Sequence, residues 1–473
     1  MKRLFFRAWD SPTLTTFLSL GVRIGGLLVV TPLLVTRFSA AEISVWYLFS
    51  SVIALCNLVD LGFAPTFSRL ASFCMAGASD ISDFRPGQNR SGAGQPNWEL
   101  MGRLYRTMRL IYLLLAGVQV ALLATFGSLS IARVVQQLPD PALGWKVWGI
   151  VVVAAAVNFA GSRYSSCLLG MYKVATVNRW TTLWGGIGII GAIGSLFLGG
   201  GLLGLVVSFQ GAQLIGTLCL RSLLRREEHG IYRRFTGLTF DRSVMQAAWP
   251  PAWRSAINIA GSTGVAQGIS VIYAQMSDPH SLANFLLTQR AIVAITGLSQ
   301  APFYAHLPLF ATLRAAGRLE ELAAKTARSM ERALFAFVLA CVAVGLFANP
   351  VLALLHSNAV LLAGPFWGGW CIVYFLERHH AMHAQIYCTT NHIPFYVPVS
   401  ISGAVNLLAC MLLFPTYGIW AVVLSHAGSN ALINNWWNVK ISLGSLPRRV
   451  RKLYLRSFLY PALALAVGLA VIW

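Results

Sequence analysis

Thirteen apolar runs, each about long enough to cross a bilayer, follow one another along this chain and leave it few ways to fold. They fall near residues 12–36, 43–74, 104–132, 146–171, 178–199, 201–221, 249–275, 281–311, 330–349, 358–388, 393–414, 416–438 and 453–473. At about 1.5 Å per residue, some 20 residues suffice to span a hydrocarbon core about 30 Å thick. No water is available there to satisfy backbone amides, so each run has to be a helix. The expected fold is therefore an all-α polytopic membrane protein with twelve core transmembrane helices and a thirteenth at the carboxyl terminus. Several runs exceed an upright crossing, so tilted helices with protruding ends are expected.

Composition removes the main competing classes. Of 473 residues, 56% are hydrophobic and 11% charged, and the polar stretches at 76–103 and 221–242 are too short to hold a soluble catalytic domain with its own core. The chain is read as a transporter and not an enzyme: a membrane glycosyltransferase, polymerase or ligase needs a large extramembranous loop or a carboxylate and metal constellation. The eight cysteines include no close pair, so neither a disulfide framework nor a zinc site is implied, and no cofactor is expected. The first apolar run carries Arg23 and continues to full length, so it reads as a retained helix and not a cleaved leader.

The net charge of +21 would suggest nucleic acid in a soluble protein, but its distribution follows topology. Basic residues cluster before the first run and after the second, fourth, sixth, eighth and twelfth; the intervening loops near 199–201, 277–280 and 415–418 hold no lysine or arginine. Positive loops stay in the cytoplasm, which places the amino terminus there and makes nucleic acid an unneeded partner.

Arginines within the apolar runs break the pattern. A guanidinium at membrane depth costs at least ~2.5–3.5 kcal/mol on insertion scales, so a retained one faces a wet cavity, a carboxylate or an anionic ligand. Arg23 and Arg290 are the deepest, Arg163 is intermediate, and Arg69 and Arg254 lie close enough to the headgroups to snorkel. Asp60 reads as the only carboxylate well inside a span, with two roles open to it: titration in an ion-coupled cycle, or a pairing with Arg69 that braces an inner gate. The second is favoured, because nine residues bring both onto one helix side and Gly62 and Pro65 allow a kink between them. His379, His380 and His383 read as a solvated helix end in preference to a metal site. Pro250, Pro251, Pro302 and Pro308 are equally gates or tolerated kinks.

A faint internal repeat lays FSAAEISVWYLFSS from Phe38 beside MSDPHSLANFLLTQ from Met276, with Ser39 matching Ser277 and Leu48 matching Leu286. Six spans separate the copies, which implies two six-helix halves in one orientation. The domain reading is 1–222 for the first lobe, 223–248 for a basic linker, 249–440 for the second lobe, and 441–473 for a basic loop and extra helix.

The segment GVRIGGLLVVTPLLVTRFSAAEISVWYLFSSVIALCNLVDLGFAPTFSRLAS holds Pro32, Ser39, Glu42, Trp46, Asp60, Leu61, Gly62 and Arg69. It resembles the first two helices of Wzx-type polysaccharide flippases, in the superfamily that also holds the MATE drug exporters and the lipid II flippase. The stretch CLLGMYKVATVNRW, with Gly170 and Asn178, is similar to an inter-helix segment of the same proteins. The resemblance implies a MATE-like two-lobed bundle that moves an undecaprenyl-diphosphate-linked oligosaccharide from the cytoplasmic to the periplasmic leaflet of the bacterial inner membrane by alternating access. It implies a monomer among membrane lipids, delivering cargo to a polysaccharide polymerase and chain-length regulator. A thirteenth helix departs from the family's usual twelve or fourteen. Physical chemistry agrees with the cargo, because planar guanidiniums are bidentate donors for a diphosphate; Arg23, Arg163, Arg254 and Arg290 are the candidate ligands, with Asp60 and Arg69 as gate or coupling residues. An ion-coupled multidrug or small-molecule exporter on the same scaffold is the alternative.

Overall fold

Short polar residues at helix starts set where each element begins. A computed structural model describes residues 12–75, 77–78, 95–227, 232, 235, 237–362, 364–390 and 394–472. Ser39 accepts a hydrogen bond from the Glu42 amide, and the Glu42 carboxylate accepts from the Ser39 backbone at 2.9 Å. This reciprocal capping box gives S-x-x-E a structural meaning independent of any family. Asn97 caps through the Leu100 amide, Asp140 before Pro141 through Leu143, and Asp278 before Pro279 through His280 and Ser281. Proline suits the first helical position because its missing N–H would have had no partner there.

Among the described residues thirteen helical tracts result, one for each apolar run: α1 (Pro12–Arg37), α2 (40–75), α3 (Trp98–Val135), α4 (Pro141–Gly170), α5 (Val174–Phe197), α6 (Gly201–Arg226), α7 (242–276), α8 (279–315), α9 (Leu319–Leu354), α10 (Pro365–Cys388), α11 (Tyr396–Tyr417), α12 (420–444) and α13 (Arg451–Ile472). No strand occurs among the described residues. Nine described helices are long and apolar enough to cross a membrane. The 38 residues of α3 extend about 57 Å at ~1.5 Å per residue, well beyond a bilayer core.

Five tracts are interrupted, α8 by a single turn residue at His306. In α2 the α-helix ends at Cys56, a 3-10 turn covers Asn57–Asp60, Leu61 and Gly62 take positive φ of 48° and 71°, and a new helix runs over Phe63–Met75. A Cβ on Gly62 would lie 2.6 Å from the Ala252 carbonyl oxygen, so this corner needs both the conformational freedom and the small size of glycine. Single π-helical turns occupy Leu123–Gly127 in α3, Ala260–Gly264 in α7 and Asn430–Asn435 in α12.

The chain forms two compact units, 1–259 and 260–473, whose boundary falls inside α7. The sequence places its linker at 223–248, but Tyr232, Val244 and Ala248 are buried in the core of the first unit with Ala252 from the start of α7. That core joins the second half of α2 to α3 and α4 through Phe67, Tyr112 and Phe159, with ring centroids about 6 Å apart. In the second unit, the Trp367 indole donates to the Cys341 carbonyl at 3.0 Å, and α13 packs along α9, with Tyr454 and Thr326 sharing a hydroxyl contact.

Candidate functional site: an arginine cavity in the first unit

Arg221 and Arg225 are four residues apart near the end of α6, and Leu218 and Ser222 fall at the same spacing, so one helix face presents all four. Opposite them, Tyr105 and Arg109 repeat the spacing on α3, and α4 contributes Arg163 and Tyr164. Together with Arg226, Tyr232 and Phe235 these residues enclose a cavity of about 730 Å³. Five of its eleven lining residues are arginine; none of the described ones is a carboxylate.

Two nearby acids among the described residues are engaged elsewhere. Asp241 pairs with Arg103 at 2.7 Å and accepts from the Ser243 hydroxyl, while Glu227 pairs with Lys173 at 3.2 Å. Arg163 is the most deeply set of the five, 9% exposed. Its guanidinium donates to the Ala160 carbonyl at 2.6 Å and to the Tyr164 hydroxyl at 2.7 Å and lies 4.6 Å from the Tyr164 ring centroid. Its Nε–H has no partner. Like charges gathered together repel, and a multivalent anion relieves that repulsion while taking up fork-shaped donors in pairs.

The other candidates fare differently. The Arg23 side chain lies outside the described residues; its backbone is in the middle of α1. Arg290 is half-buried on α8 in the second unit, next to Gln289, which accepts from Ser270 and donates to the Ala266 carbonyl. Arg254 is exposed, its guanidinium 5.7 Å from the Trp253 ring centroid. Arg69 is exposed as well. Asp60 is not brought to it. The Asp60 carboxylate instead accepts from the Ala64 amide and the Tyr112 hydroxyl, each at 3.1 Å, because the break at Leu61 and Gly62 leaves a fresh helix start beside it whose amides need an acceptor. Among the expected ligands whose side chains are described, only Arg163 lines the cavity; Arg109, Arg221, Arg225 and Arg226 line it beside Arg163. They were visible in the sequence but served there as markers of topology.

The second unit holds a polar network that the sequence reading missed. Glu377, on α10, is a half-buried carboxylate; it pairs with Arg378 at 2.9 Å and lies 3.7 Å from the His426 ring of α12. Arg378 also donates to Gln300 of α8. The three histidines are buried, 8%, 8% and 1% exposed, and not solvated: His379 meets Asn435 at 2.9 Å and His380 meets Asn438 at 3.2 Å. A π turn carries Asn430, Asn434 and Asn435, and such turns recur at functional positions. The available signal was four asparagines in nine residues of an apolar run, at 430, 434, 435 and 438, on one helix face.

No protein family matches this sequence, and none of the curated proteins compared with it does. Solved structures match over nearly the whole chain. An inward-facing multidrug resistance MATE family transporter of the MOP superfamily is 14% identical with a TM-score of 0.65, covering 94% of this chain and 96% of that one. The lipid II flippase MurJ, in an inward closed conformation, is 12% identical with a TM-score of 0.65, over 98% and 97%. A MOP superfamily transporter from Pyrococcus furiosus Vc1, reported to have a binding pocket of reversed polarity, is 14% identical with a TM-score of 0.55, over 92% and 97%. At these identities the likeness shows the fold.

Proposed function

We propose that this chain is a flippase that carries an undecaprenyl-diphosphate-linked oligosaccharide from the cytoplasmic to the periplasmic leaflet of the bacterial inner membrane, by alternating access, for polysaccharide biosynthesis. The observation that carries the reading is the cavity lined by five arginines and no described carboxylate. At an effective dielectric of about 20, two unit charges 4 Å apart interact by about 4 kcal/mol, so this surroundings repels a cationic drug and favours a diphosphate. The cavity lies at the end of the first unit where α3 begins and α6 finishes, beside loops rich in arginine. By the positive-inside rule that end is cytoplasmic, the side on which lipid-linked sugars are assembled. Among the neighbours in fold, the lipid II flippase MurJ is named for a lipid-linked cargo, and the reading extends a cargo of that kind to this chain, with Arg23 and Arg290 as further ligands along the path and a polymerase and chain-length regulator receiving the product from a monomeric carrier.

An ion-coupled multidrug or small-molecule exporter is the second reading, favoured by the Glu377, Arg378 and His426 network and by the MATE neighbours. A deletion strain fed a radiolabelled sugar precursor separates the two. Lipid-linked oligosaccharide held on the cytoplasmic leaflet, rescued by the natural chain but not by Arg163→Ala or the Arg23→Ala, Arg290→Ala pair at normal protein abundance, fits the flippase. Unchanged glycans with altered drug sensitivity would replace it with the exporter.

A further inference from the structure

The arginine cavity continues into a second space. A groove of about 380 Å³ shares Arg163, Tyr164, Leu218 and Arg221 with it and then runs between α3, α4 and α6 past Leu113, Ala116, Gly117, Val120, Ala156 and Val157. Beyond the shared residues only Thr217 adds a polar side chain, and its hydroxyl donates to Asn158 at 2.7 Å. Leu113, Gly117, Val157 and Leu218 are exposed, touching little of the chain that covers them. Small residues form the floor: a Cβ on Gly117 would meet nothing within 4 Å. From Leu113 to Val120 the groove follows α3 for about 10 Å at ~1.5 Å per residue, a third of the thickness of a hydrocarbon core of about 30 Å.

We infer that this flank of the first unit is a docking site for one polyprenyl diphosphate lipid, with the diphosphate among the five arginines and the isoprenoid chain in the groove, so that the lipid is captured from the inner leaflet through the side of α3, α4 and α6. The choice of a polyprenyl lipid rests on the flippase reading, and three observations fit it. The cavity offers five guanidiniums, far more than a singly charged phospholipid head can use. Its deepest arginine, Arg163, lines both spaces and keeps an N–H without a partner. The groove's own lining is apolar apart from Thr217, which suits an isoprenoid chain.

Photoaffinity labelling tests this on the full chain in phosphatidylcholine nanodiscs, with a polyprenyl diphosphate carrying a diazirine on its first isoprene unit. Saturable labelling is expected within 113–120 and 156–161. It should fall at least tenfold in Gly117→Trp and in the Arg221→Ala, Arg225→Ala pair, with melting temperatures unchanged, and yield to unlabelled undecaprenyl diphosphate at concentrations where phosphatidylglycerol has no effect. Saturable labelling elsewhere, or in the groove but indifferent to both variants, overturns the docking site and leaves the flippase reading standing. Equal competition by phosphatidylglycerol makes the groove an ordinary phospholipid seat and overturns it too. The absence of saturable labelling anywhere on the chain defeats both.

Discussion

Arg163 and Asp60 show how differently two polar residues in apolar helices are settled. Arg163 spends two of its donor groups on Ala160 and Tyr164 and is still incompletely satisfied. Lysine would keep the charge but lose the planar fork, and hydrogen bonds to charged groups contribute about 1.5–3 kcal/mol. On the proposed function, Arg163→Lys should therefore slow oligosaccharide translocation roughly 10- to 100-fold, measured as the rate at which labelled lipid-linked sugar becomes accessible on the outer leaflet. Asp60 is fully occupied as a cap and as an acceptor for Tyr112. Asp60→Ala should cost about 2 kcal/mol, the sum of a cap and a neutral hydrogen bond, while Asp60→Asn retains an acceptor and should cost less than half as much in thermal unfolding. Loss of transport by Asp60→Asn at full stability would instead mark a titrating role. The sequence made Arg163 legible because it stands alone in an apolar run; Arg221, Arg225 and Arg226 end α6 but fall in a stretch that reads as a basic loop.

At the level of elements, helix existence was readable almost throughout, since a 20-residue apolar run has one solution in lipid. Starts were readable too, wherever Ser39, Asp140 or Asp278 precedes the run. The interruptions were not. Asp-Leu-Gly at 60–62 reads as a tolerable kink, and only the packing against Ala252 turns it into a corner. Nor do π turns leave a periodic trace, because one extra residue shifts the register without altering hydropathy. The segment before α7 likewise reads as a linker until Asp241 is seen clasping Arg103 and Ser243. Partial burial works to raise the Asp241 pKa, but hydrogen bonds from Ser243 and Arg103, with the Arg103 charge, outweigh it and hold the carboxyl below its usual 3.8. A lowered folded pKa means stability that is present above the unfolded value and lost as pH falls through the folded one. Asp241→Asn should accordingly lower the melting temperature at pH 7, by a small margin because the pair is partly exposed, and should make no difference well below pH 3.8, where both chains carry an uncharged side chain.

On the scale of the whole molecule, the two units bring chemistry of opposite kinds. The first collects arginines around an open cavity; the second joins Glu377 to Arg378 and His426 and sets His379 and His380 against Asn435 and Asn438. Glu377 compensates Arg378, whose side chain is only 12% exposed. Removing one partner of a fully buried pair costs about 3–5 kcal/mol because the other charge is stranded, and less here because the Glu377 side chain is 27% exposed. Glu377→Gln should thus lower the unfolding temperature sharply, and adding Arg378→Gln should recover a large part of the loss; additivity of the two substitutions would show that the pair does not act as a unit. This network escaped the sequence because its members lie on α8, α10 and α12 and converge only on folding.

The excess of positive charge in the first unit has a bearing on handling as well as on transport. A pocket of that sign fills with whatever small anions the medium supplies, so cargo arrives by exchange and not into vacant space. Screening falls to a Debye length of about 8 Å at 0.15 M salt, and phosphate or citrate competes for the same forks. Affinity for a diphosphate lipid should therefore decline steadily with ionic strength and drop further when chloride is replaced by phosphate at equal strength, and a preparation kept in phosphate buffer will look like a weaker binder than the same molecules moved into a zwitterionic one.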